Sequence, residues 1–136
     1  MLLPFEIESK AILPATRAIL ALKLIEEYGM RENDVAKAVG ITQAAVSNYI
    51  RYTRGNRKVI ERLSSTKEIM HIIEDIAADL AQSRTYTPYT MLKFMEICNL
   101  IRSTLIICEV HHEIESDIDK TVCEECKVNL LNSKSE

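Results

Sequence analysis

The stretch Val35–Arg54, VAKAVGITQAAVSNYIRYTR, leaves this chain the fewest choices. Val35, Ala36 and Val39 put apolar side chains on one face of a short helix. Ala36 is small, as two helices crossing closely at a tight angle require. Gly40 ends the first helix, because glycine enters the left-handed region without a Cβ clash. Ile41 plugs the corner, and the Thr42 hydroxyl is suited to cap a second helix. Val46 and Ile50, four apart, face inward with Tyr49 beside them. The spacing therefore predicts two short helices joined by a tight turn.

Gln43, Ala44, Ser47 and Asn48 are left on the outward face of the second helix. These are small or amide side chains at a helix N-terminus, where helix-turn-helix proteins contact base edges. Arg51, Arg54, Arg57 and Lys58 follow at once. Such cations suit phosphate oxygens, and arginine binds them bidentately. The rival reading is an ordinary helical hairpin with a solvated polar face. The Ala36–Gly40–Val46 spacing and the basic run favour double-stranded DNA as the partner, with Thr42 capping the reading helix.

The run VGITQAAVSNYI, with LLPFEI and LPATRAILALKLIEEYGM before it, resembles the DNA-binding unit of lambda-repressor-like (Xre-type) regulators. Residues 1–60 resemble more closely a family of small archaeal helix-turn-helix regulators. The resemblance implies an all-α fold and a transcriptional role. It also implies that the loop around Gly55 lies along the phosphate backbone.

A net charge of −3 looks wrong for DNA binding until it is divided. Residues 1–30 carry three Lys/Arg against four Asp/Glu, net −1; residues 31–67 carry eight against three, net +5; residues 68–136 carry six against thirteen, net −7. The basic block holds the two-helix motif. The acidic block is repelled by phosphate and is expected to point away from DNA. No apolar run reaches the roughly 20 residues that span a bilayer. The start MLLPFEIESK has no basic segment leading an apolar one, so a cytoplasmic protein is expected.

The remaining pattern is helical. Leu2–Ile7 reads as an extended arm on the core or a partner, and Pro14 as the N1 residue of a helix running to about Tyr28. Arg57–Leu63 reads as a short closing helix. Ser64-Ser65-Thr66 divides an N-terminal helix-turn-helix domain (1–63) from a helical region (64–136), with Ser65 and Glu68 as a capping box. Ile69, Ile72, Ile73, Ile76, Ala77 and Leu80 form a stripe that either completes the core or seals a homodimer. Thr87 caps and Pro88 opens a helix to about Arg102, with Met91, Phe94, Met95, Cys98 and Ile101 on one face.

The four cysteines, Cys98, Cys108, Cys123 and Cys126, all fall in the last third. In a cytosolic chain such clustering points to metal or redox chemistry rather than structural disulfides. Ten residues of unbroken helix would set Cys98 and Cys108 about 15 Å apart, so a shared metal demands a break after Arg102. Three readings compete: an iron–sulfur cluster on four thiolates, which would make a redox or oxygen sensor; structural zinc, with His111 able to replace one thiolate and His112 a bystander; and a metal-free thiol pair. An enzyme, a thiol oxidoreductase built on Cys123-Glu-Glu-Cys126, is disfavoured because no βαβ pattern surrounds the pair.

Overall fold

Helix α6 (Lys67–Ser83) is the axis of the fold, which is a computed structural model describing residues 1–51 and 57–132. Ile69, Ile72, Ile73, Ile76, Ala77 and Leu80 are all buried on it. The five largest of these are worth on the order of 10 kcal/mol of apolar burial, an upper bound. The isoleucine stripe thus completes the chain's own core and is not left over as a dimer seam. Thr66, not Ser65, is the N-cap residue, and the Ser65 hydroxyl donates to the Arg62 carbonyl at 2.9 Å. The expected capping box does not form.

Around α6 the order is α1 (Pro4–Ile7), a π-helical turn (Glu8–Ile12), α2 (Leu13–Glu26), α3 (Glu32–Val39), α4 (Gln43–Ile50) and α5 (Arg57–Ser64) before it. After it come α7 (Pro88–Ser103), α8 (Ile106–Ile114) and α9 (Lys120–Asn132). Among the described residues the chain is all-helical, and none of its helices is long and apolar enough to cross a membrane. α2 packs on α3, α4, α5 and α6; α6 packs on α7; α1 packs on α8. One apolar core runs from Ile7 to Val110 across Ser64–Thr66.

The amino-terminal arm is helical where the sequence pattern predicts an extended segment. Pro14 falls in the first turn of α2, as expected, but helical turns that began at Pro4 run straight into it. A proline inside a helix loses an amide and crowds the carbonyl four residues back. Here the preceding turn is widened, and the Leu13 amide donates to the Glu8 carbonyl five residues earlier. The buried Glu8 carboxylate is held by a bidentate contact with the Arg102 guanidinium of α7. A charge can be buried at this turn because its partner comes with it.

α7 ends at Ser103, and Leu105 takes a left-handed conformation (φ 62°) before α8 begins. The helix break that glycine would have made easy is made by leucine instead. On α7 the buried side chains are Thr90, Ile97 and Ile101, whereas Met91 and Met95 are exposed. The expected single face of Met91, Phe94, Met95, Cys98 and Ile101 is therefore split. Thr87 caps α7 and Pro88 opens it, as its sequence indicates.

Candidate functional site

α3 stops where Gly40 turns left-handed (φ 78°). The amides of Gly40 and Ile41 both donate to the Ala36 carbonyl, at 2.9 and 3.0 Å. The chain then enters α4 with Thr42 as N-cap, its Oγ1 accepting from the Ala45 amide at 3.1 Å. Ala45, Val46 and Tyr49 are buried, which fixes the rotation of α4 about its axis. Gln43, Ala44 and Asn48 consequently stand exposed, on the side opposite the core. The ring of Tyr86, from the loop before α7, lies against Gly40 closely enough that a Cβ there would meet Cε1 at 2.7 Å. The corner is thus buttressed from outside as well as packed from within.

Ser47 is only half-exposed. Its hydroxyl donates to Glu32 Oε2 at 3.2 Å, so the reading face carries an acidic neighbour that α4 alone does not reveal. Arg51 is exposed at the end of α4, and Arg57 is exposed at the start of α5. Arg54 lies outside the described residues.

Lys58 is exposed and lies in an ion pair. It meets the α8 carboxylate of Glu113 at 2.8 Å, and one turn on Arg62 meets Glu109 at 2.5 Å. The hydrogen bond to Glu113 holds the Lys58 ammonium above its ordinary pKa, and that to Glu109 does the same for the Arg62 guanidinium. Carboxylates of the acidic half therefore lie on cations of the basic half rather than pointing away from them. The sequence did hold the signal: Lys58 and Arg62 are four apart on one helix, and Glu109 and Glu113 four apart on another.

Residues 14–71 match the ParB HTH domain family. The matched stretch takes in α2 through α5 and ends inside α6, so the helix-turn-helix is a DNA-binding type of domain, and its core continues into the helices that follow. No curated protein and no solved structure matches the chain.

The cysteines divide three to one. Cys108 on α8 and Cys123 and Cys126 on α9 line one cavity of about 80 Å³ with His111, His112 and the amino-terminal residues Met1–Pro4. Burial pushes the Cys108 thiol up, and the neighbouring Cys123 and Cys126 sulfurs add to the shift. Cys98 does not join them. It lines a different cavity with Glu8, Arg17 and Arg102, and burial followed by the Glu8 charge pushes its thiol up. The two histidines also exchange their expected parts. His111 Nε2 lies 3.4 Å from Glu115 Oε2, while His112 Nε2 lies 3.3 Å from Cys123 Sγ. Among the described residues, no group of three or more His, Cys, Asp and Glu side chains is gathered tightly enough to hold a metal ion.

Proposed function

We propose that this protein is a sequence-specific DNA-binding regulator of transcription, acting as a homodimer and by binding rather than by catalysis. The observation that carries the reading is the seating of α4. Its inner face is locked by Ala45, Val46 and Tyr49, and it presents Gln43, Ala44 and Asn48 outward from a capped N-terminus. Arg51 and Arg57 flank that face as phosphate contacts. Ser47 reads bases only by leaving Glu32, and Lys58 reaches phosphate only by leaving Glu113.

Homodimerisation follows from the way such domains read two half-sites about 34 Å apart. With the α6 stripe committed to the core, the exposed apolar side chains of α7, Met91, Leu92 and Met95, are the candidates for the seam. The regulatory input is assigned to the thiols of the carboxy-terminal third. A four-thiolate iron–sulfur cluster would have to recruit Cys98, which stands with Glu8 and Arg102; the reading carried forward rests on Cys108, Cys123 and Cys126.

Selection of bound fragments from a random duplex library tests the function. Enrichment of an inverted repeat with half-sites one helical turn apart is expected. Gln43→Ala should then lose about 1–3 kcal/mol of discrimination at one base pair. Arg51→Ala should weaken binding to all sequences alike. Binding with no sequence preference would leave only a non-specific DNA protein.

A further inference from the structure

The carboxy-terminal helix α9 is held in an unusual way. None of its 13 residues is buried, and Val122, Val128 and Leu131 are exposed. Its apolar hold is slight: Leu130 alone packs, partly buried, against the core, and the helix rests on α7. Yet α9 turns Cys123 and Cys126, three apart and so neighbours on one helical face, toward the cavity that Cys108 enters from α8. On α8, Cys108 and His112 are four apart and also share a face.

We infer that Cys108, His112, Cys123 and Cys126 form a site for one four-coordinate, thiophilic divalent cation of the zinc class, which clamps α9 onto α8. Three thiolates and one imidazole are an ordinary closed ligand set for such an ion. In a tetrahedral site with Zn–S about 2.3 Å and Zn–N about 2.0 Å, sulfur and nitrogen lie about 3.5 Å apart. His112 Nε2 and Cys123 Sγ stand 3.3 Å apart, close to that edge. The four side chains line one cavity without meeting at a single point, so the ion and the docking of α9 close the site in one step. Binding exchanges three thiol protons, released to solvent, for the cation, with His112 neutral.

The ligand set also decides between occupants. Cys-only clusters take four thiolates, and the fourth thiol of this chain lies in another cavity. His111 is turned to Glu115, which in turn accepts the Leu2 amide at 2.9 Å and so ties the amino terminus to this end of the molecule. The same α8 turns Glu109 and Glu113 to α5, so seating α8 and pairing Lys58 and Arg62 are one event. The site stands apart from the DNA-binding reading: the chain can hold an ion without DNA, or DNA without an ion.

The test uses the full chain, reduced and stripped of metal, titrated with Co²⁺ and then Zn²⁺. One Co²⁺ per chain is expected, with intense thiolate-to-cobalt absorption and tetrahedral d–d bands, displaced by one Zn²⁺. Cys98→Ala and His111→Ala should keep that spectrum. Cys108→Ser, Cys123→Ser, Cys126→Ser and His112→Ala should each weaken Zn²⁺ binding by at least about tenfold. Circular dichroism separates lost ligation from lost fold. His112→Cys guards against a variant that merely fails to fold, since it should still bind and shift the cobalt bands toward a four-thiolate spectrum. A folded wild type that binds no cobalt would overturn the inference. So would a Cys98→Ala variant as impaired as Cys123→Ser, or iron with sulfide in protein purified without oxygen.

Discussion

Glu113 holds Lys58 at 2.8 Å, and this pair sets how many cations the domain can offer to a phosphate backbone. Glu113→Gln removes the charge and keeps the shape. Relieved of the Glu113 charge, the ammonium is expected to displace about one more condensed counterion when the domain meets B-DNA. Each such contact steepens the fall of log K with log salt by about 0.9. Between 50 and 200 mM salt, one added contact therefore changes the loss of affinity by about 3.5-fold. Fluorescence anisotropy on an arbitrary duplex across that range reads the slope without knowledge of the operator. Lys58→Ala in the wild-type background should change the slope little, because the pair with Glu113 already withholds that charge. Lys58→Ala in the Glu113→Gln background should cancel the gain. Equal slopes for wild type and Glu113→Gln would refute the reasoning. A full loss of about 0.9 on Lys58→Ala alone would do the same, since it would put Lys58 on phosphate despite Glu113.

Local geometry gives two more expected outcomes. Gly40→Ala should destabilise the chain by about 1–2 kcal/mol, the cost of a Cβ in the left-handed region. The meeting with Tyr86 should add little, because that ring is 59% exposed and can swing aside. Urea unfolding of Gly40→Ala with and without Tyr86→Ala separates the two costs, and a loss recovered mostly by Tyr86→Ala would reverse their order. Cys98 makes a pH prediction. Its thiol is pushed up first by burial and then by Glu8, with Arg102 and Arg17 opposing, so the folded chain holds that proton more tightly than the unfolded chain does. The resulting stability is fully present below the ordinary thiol pKa of about 8.5 and is lost as pH rises through the folded value. Iodoacetamide should label Cys98 slowly at neutral pH and faster only above that range. Fast labelling at pH 7 in the folded protein would contradict the half-buried position beside Glu8.

The residue order makes legible what a few neighbouring residues decide among themselves. A left-handed glycine at Gly40, a capping hydroxyl at Thr42 and apolar positions at Val46 and Tyr49 settle their conformation within one or two turns of chain. The same holds for Thr87 and Pro88 at the start of α7. The elements that differ from expectation are those whose state depends on a distant partner. Pro14 reads as a beginning because a proline inside a helix is costly; the widened turn before it is held by Glu8 on Arg102, ninety-four residues away. The α6 stripe has the same pattern whether it meets its own core or a second copy. Cys98 and Cys108 look like two halves of one site in the linear order, and rotation about their helices sends them to different cavities.

The residue sequence by itself determined the helix-turn-helix corner and the outward set Gln43, Ala44 and Asn48, because backbone hydrogen bonding and Cβ sterics act over a few residues. Only the tertiary structure decided that Glu113 covers Lys58, that Glu32 takes the Ser47 hydroxyl, and that His112 meets the Cys123 thiol while His111 meets Glu115. Those contacts are set by how apolar stripes bury against one another, which turns each helix about its axis and thereby chooses which polar side chains meet.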